Sequence, residues 1–205
     1  MHSYLTENQF FAPVSTFMAI TKCESVLIEA HENYQKRGFR NRCITDSAQG
    51  PLILSIPLVK GKNERMPIKE VAISYHTDWK RLHLQSIRSS YGNAPYFEHI
   101  YPAIADLYQQ SDKYLFDFNL KIWLWAIEFI ELDVRITETN CYEKEIDNSK
   151  IIDARNQLKP NNYTLLQTEL SSYAQVFEEK HSFLPNLSIL DLIFCTGKAS
   201  LSYLS

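Results

Sequence analysis

The chain has 205 residues, 45% hydrophobic and 22% charged, with a formal net charge of -3. That is the balance of a soluble globular protein able to bury about two thirds of its unfolded surface without disulfide or metal staples. A slight negative charge excludes global attraction to nucleic acid or an anionic membrane. With only five glycines, glycine-rich phosphate loops are excluded as well, and no run approaches the ~18 apolar residues of a membrane span.

The first predicted element is a strand or extended segment over 4–11, ending in Phe10-Phe11-Ala12-Pro13, where Pro13 suits the first turn of a helix. Val14, Phe17 and Met18 give the following stretch to Lys22 one apolar helical face, and Ser25 to Glu29 reads as a strand. Strand, short helix and strand make a minimal parallel crossover, whose carboxyl end opens on the usual ligand crevice of an α/β sheet. His31 begins there a stretch of unusual chemical density, running to Cys43 with Tyr34, Asn41 and four cations, Lys36, Arg37, Arg40 and Arg42.

Arg42 to Thr45 and Leu52 to Leu58 predict a hairpin about a turn at Ala48-Gln49-Gly50-Pro51. Lys60 to Arg65 reads as a solvated loop rather than a phosphate loop, and Ile68 to Ser74 as a further strand. From Asp78, as N-cap, the period becomes helical, with Trp79, His83, Ile87 and Tyr91 in one row. A histidine in such a stripe is a packed core residue or, alternatively, a base. A second helix is expected over 96–110 with a kink or restart at Pro102, and a third over 115–132 that is apolar almost all round. Trp123 and Trp125 point about 200° apart on that helix, so both read as core rather than as a stacking platform.

Asp133 to Thr139 alternates as a last strand. Residues 140–162, rich in Asn, Asp, Lys and Glu, predict a mobile loop or lid, and 165–177 and the stretch after Pro185 predict helices, the last ended by Gly197. The expected fold is therefore one α/β domain over 1–205, a small mixed sheet flanked by helices with a mainly helical C-terminal half.

Four dispersed cysteines without a C-x-x-C pair, and no secretory leader, make free thiols in the cytoplasm the expectation. Walker, G-x-G-x-x-G, H-E-x-x-H and G-x-S-x-G motifs are absent. Of the histidines only His76 and His83 are close, so no metal site is expected, and no cofactor is specified.

The segment His31-Glu32-Asn33-Tyr34-Gln35-Lys36, followed by Phe39-Arg40-Asn41-Arg42-Cys43 and Gly50-Pro51-Leu52-Ile53-Leu54-Ser55-Ile56-Pro57, resembles the WbqC-like protein family. Trp79, His83, Ile87 and Tyr91 with Pro95-Tyr96-Phe97 resemble it too, as does the closing run from Phe183 through Asp191 to Phe194. The resemblance implies a bacterial cytoplasmic protein of O-antigen-type surface polysaccharide synthesis, in a transferase role that attaches a glycyl or acyl group to an amino sugar. Many relatives carry paired acidic residues before the Tyr, where this chain has Glu29-Ala30-His31-Glu32.

Independently of the family, Lys36 and Arg42 suit a phosphate or carboxylate, and Asn41 suits a sugar hydroxyl or amide. His31 or His83 would be the base for an amine nucleophile. Tyr34, Tyr91 and Asp191 complete the expected substrate-binding set, and the partner is a small-molecule or carrier-linked anionic sugar. In the alternative, Asn41 and Arg42 only tie the hairpin to a carboxylate such as Asp191. The corresponding functional alternative is a non-catalytic ligand-binding or accessory protein of polysaccharide assembly.

Overall fold

A computed structural model describes residues 2–59, 66–147, 149–164 and 171–204. The expected loop over 60–65 and the first part of the expected helix over 165–177 lie outside the described residues. Strand β1 (Ser3–Glu7), helix α1 (Val14–Ile20) and strand β2 (Ser25–Glu29) form the crossover anticipated from their periodicity. β1 and β2 pair in parallel, Leu5 opposite Leu27 and Glu7 opposite Glu29. Pro13 sits at the N-cap of α1, one place before the expected first turn.

Two further parallel strands flank this pair, β5 (Arg135–Glu138) beside β2 and β6 (Ile151–Asp153) beside β1, in the order β5-β2-β1-β6. The antiparallel part is a separate hairpin, β3 (Arg42–Thr45) with β4 (Leu52–Ser55), closed at Gly50, whose φ of 97° needs a residue without a side chain. Strand β5 is not the last strand: β6 lies within 140–162. Because β5 and β6 are parallel, the chain between them must return from the carboxyl end of the sheet to its amino end.

The strand alternation gives the sheet two unlike faces. Val26 and Ile28, with Tyr4 and Ile136, join the main core. Leu5, Leu27, Glu29 and Thr137 instead face a hollow of about 540 Å³.

The core itself is built by α2 (Trp79–Tyr91), α3 (Phe97–Gln109) and α4 (Leu115–Ile130). Trp123 stacks on Phe17 at 5.2 Å, and Trp125 is half-buried against the core, as their spacing predicted. Asp78 stands at the N-cap of α2 without bonding its N–H groups; its carboxylate accepts from Arg81 instead. α3 runs unbroken through Pro102.

Residues 68–74 do not form the expected strand. Ile68–Glu70 makes a single 3-10 turn, and Ala72 and Ile73 make isolated bridges to Tyr114 and Leu58. The described end of the stretch expected as a helix, residues 171–177, is loop and turn. A short α5 (Glu178–His181) follows, then α6 (Ile189–Thr196), all of whose residues are buried, and α7 (Ser200–Leu204). Among the described residues, no helix is long and apolar enough to cross a membrane.

Candidate functional site: a cationic cleft beyond the parallel strands

The dense stretch leaves β2 at the carboxyl edge of the sheet and is fastened there by main-chain bonds. The amide of Ala30 donates to Thr139 Oγ1 (3.0 Å), that of His31 to Glu29 Oε1 (2.9 Å) and that of Tyr34 to the Met66 carbonyl (2.9 Å). Eight residues apart, Glu32 and Arg40 then close a loop. Arg40 donates Nε to Oε1 at 2.6 Å and Nη2 to Oε2 at 2.5 Å, with both residues about 98% buried or more. Burial holds the Glu32 carboxyl above its ordinary range, and the Arg40 fork opposes that rise.

Arg40 has further ties, Nη2 to Asn156 Oδ1 (2.8 Å) and its carbonyl from Asn119 Nδ2 (2.7 Å). A Cβ on Gly38 would lie 2.9 Å from Arg40 Nη1, so a side chain there would press on the clasp and shift the guanidinium. Gln35, Lys36 and Arg37 are thereby presented at an exposed tip.

The tip forms one wall of a cleft of about 520 Å³. Lys36, Arg37, Arg40 and Arg42 come from the dense stretch, while Asn156, Lys159 and Asn161 come from the segment after β6. No carboxylate is among the lining residues described. Arg40 is paired with Glu32, and Lys36, Arg37, Arg42 and Lys159 are the other cationic side chains on the cleft, in a protein of net charge -3. Arg42 Nε is buried without a hydrogen-bond partner. A buried guanidinium donor with nothing to bond is costly, and a small shift of the side chain toward the cleft would let water or a ligand supply the acceptor.

Lys36 and Arg42 thus line one cleft, and the other residues proposed for the site do not. Tyr34 is buried and donates its hydroxyl to Asn41 Oδ1 (3.1 Å), while Asn41 Nδ2 donates to the Ile56 carbonyl (2.9 Å). The Asn41 carboxamide therefore joins the loop to the hairpin, through Tyr34 and Ile56 rather than through Asp191.

His31 is exposed and lines a neighbouring hollow of about 290 Å³ with Glu32, Asn33, Gln35 and Tyr142. His83 is in the core, with Nδ1 on Tyr108 Oη and Nε2 on the Ser55 carbonyl, both at 3.2 Å, and Trp79 edge-on at 5.1 Å. Burial pushes its pKa down to about 4, and it does not line the cleft; the packed reading of this histidine is the observed one.

Tyr91 and Asp191 meet elsewhere. Tyr91 Oη donates to Asp191 Oδ1 (3.0 Å), and Tyr173 Oη (2.7 Å) and Gln175 Nε2 (2.8 Å) donate to Oδ2. This buried knot ties α6 to α2 and to the segment before α5, and burial pushes the Asp191 carboxyl up to about 6.

The cleft residues that went unanticipated, Asn156, Lys159 and Asn161, lie more than 110 positions from the tip and reach it only because β6 pairs with β1. The one local signal was the turn chemistry of Lys159-Pro160-Asn161-Asn162.

The WbqC-like protein family matches residues 9–169. No curated protein and no solved structure matches the chain.

Proposed function

The chain belongs to the WbqC-like protein family, and from that premise we propose that its cationic cleft holds the anionic group of a small-molecule or carrier-linked sugar. The enzyme would be a transferase moving a glycyl- or acyl-type group onto an amino sugar in surface-polysaccharide synthesis. The observation that carries this reading is the gathering of Arg42, Lys36, Arg37 and Lys159 on one cleft with no carboxylate among its described lining residues, Arg42 keeping a buried Nε without a hydrogen-bond partner. An arginine fork suits a phosphate or carboxylate, and the flexible lysines add charge without fixing geometry.

In the transfer step the amine nitrogen attacks the acyl carbon, the bond from that carbon to the donor's leaving group breaks, and the amine proton passes to a base. His31 is the base of this reading, since it is exposed and lies across Gln35 from the cleft. His83 is no longer offered for that role, because its ring nitrogens are occupied in the core.

A second reading, a ligand-binding or accessory protein of polysaccharide assembly without turnover, draws on the same cleft. It is favoured by the absence of a proton acceptor among the described cleft residues. Thermal-shift titration with nucleotide sugars and sugar phosphates tests the part common to both. A ligand at a hundred times its Kd should stabilise by about 2.7 kcal/mol. Arg42→Ala should weaken binding about 10- to 100-fold, the worth of a charge-assisted hydrogen-bonded contact. A shift of equal size in the variant would sink the anion site. Turnover that is lost in His31→Asn while binding persists would favour the transferase.

A further inference from the structure

The cleft does not end at Gln35. That residue lines both the cleft and the hollow of His31, Asn33 and Tyr142, so the two adjoin directly. The Glu32–Arg40 clasp lies beneath both, Arg40 lining the cleft and Glu32 the hollow. The hollow differs from the cleft in kind. No lysine or arginine lines it among the described residues, and its one carboxylate, Glu32, is taken up by the fork of Arg40. It is therefore suited neither to a second anion nor to a cation.

What it offers is two carboxamides and an imidazole around an aromatic ring. Tyr142 is 50% exposed, and its ring is backed by the Arg155 guanidinium at 5.0 Å, which is itself held by Glu29 and Asp153. A supported aromatic plane ringed by amide donors and acceptors matches a ring that is apolar on its faces and hydroxylated at its rim.

We propose that this hollow is a subsite for a neutral sugar ring bonded directly to the anion held in the cleft, with Tyr142 as its platform and Asn33 and Gln35 bonding its hydroxyls. The proposal rests on the reading of the cleft as an anion site, and names the substrate class: a sugar 1-phosphate or its diphosphate-linked derivative. Direct adjacency favours a sugar over a nucleobase, because a base is separated from its phosphate by ribose and would need a spacer that the shared Gln35 wall does not leave. The arrangement also places His31 beside the sugar rather than beside the phosphate, where an amino substituent on the ring would need its proton removed.

Calorimetric titration with three probes tests this: inorganic phosphate, a hexose 1-phosphate and a nucleoside monophosphate. The hexose 1-phosphate should bind about tenfold or more tighter than phosphate, as one or two net hydrogen bonds with stacking would give. Tyr142→Ala should remove that excess and leave phosphate affinity unchanged, Tyr142→Phe should retain it, and Arg42→Ala should weaken both ligands. Equal affinity for phosphate and hexose 1-phosphate, or an excess that survives Tyr142→Ala, overturns the subsite and leaves the cleft intact. A nucleoside monophosphate that outbinds the hexose 1-phosphate in a Tyr142-dependent way overturns it in favour of a base pocket. If wild-type protein binds none of the three, the cleft reading fails and the subsite falls with it.

Discussion

Two buried titratable residues that both entered as site candidates, His83 and Asp191, act on stability with opposite signs. His83 is held neutral by burial, its pKa near 4 against an ordinary 6.5. Its contribution is complete above pH 6.5 and is lost as the pH falls toward 4, because the unfolded chain takes up the proton first. Asp191 has its pKa raised from 3.8 to about 6. Its contribution is complete below pH 3.8 and is lost as the pH rises through 6. Between about pH 4 and 6 the two slopes oppose, and each spans roughly two pKa units, a few kcal/mol. Asp191→Asn should therefore uncover a fall in stability on acidification from pH 6.5 to 4, and His83→Gln a rise over nearly the same window. Urea unfolding at pH 4, 5, 6 and 7 distinguishes them, and identical pH profiles in wild type and both variants would contradict the burial-driven shifts.

At the scale of the element, the loop from Glu32 to Arg40 depends on its clasp more than on its own backbone preferences. Glu32→Gln leaves a buried guanidinium without its counter-charge, a change that costs about 3–5 kcal/mol. It should also weaken anion binding, because the tip carrying Lys36 is no longer oriented. The double variant Glu32→Gln, Arg40→Met removes both charges and should recover much of the stability in urea denaturation. A single-variant loss below about 1 kcal/mol, the scale of a surface pair, would mean that something else holds the loop. The elements legible beforehand were those whose pattern is local and strong. The β1-α1-β2 crossover and the hairpin formed where expected, though β1 ends at Glu7 rather than at residue 11 and β4 at Ser55 rather than Leu58, and the helices carrying Trp79, Ile104 and Ile122 fell close to their expected limits. Pro102 did not break α3 because helix packing through Ile100 and Ile104, both buried, outweighs one missing backbone bond. The misread stretches have tertiary causes. Val71 and Ile73 alternate like a strand, yet the bridges of this stretch go to two different single residues, Ala72 to Tyr114 and Ile73 to Leu58, so no ladder forms. β6 is three residues in a polar segment, and its pairing partner is β1, about 150 positions away. For the same reason the tip's half of the cleft could be read from residues 35–42, whereas Lys159 and Asn161 could not be joined to it without the fold.

At the scale of the whole molecule, the family match ends at residue 169 but the core does not. Leu187, Ile189, Leu190, Leu192, Ile193, Phe194 and Leu204 are all completely buried. Phe194 stacks on Tyr91 at 4.8 Å and on Phe97 at 5.7 Å, so α6 fills the space between α2 and α3. The backbone is tied as well: Val14 N–H to the Leu187 carbonyl (2.9 Å), Ser188 N–H to Ile44 (2.7 Å) and Ile189 N–H to Ala12 (2.9 Å) link α1, the hairpin and α6. Each buried side chain of this kind contributes about 1.5–3 kcal/mol, so the set is worth on the order of 10 kcal/mol. A whole domain is stable by only about 5–15 kcal/mol. A chain ended after residue 169 should therefore lack a cooperative thermal transition and fixed aromatic circular dichroism, even though it retains every residue lining the cleft. Adding residues 171–205 as a separate peptide should restore both, along with the ligand-induced thermal shift, because the missing contribution is burial rather than chemistry. Cooperative unfolding of the shortened chain with a near-native Tm would instead make the C-terminal helices a separable appendage, and the cleft a property of the first 169 residues alone.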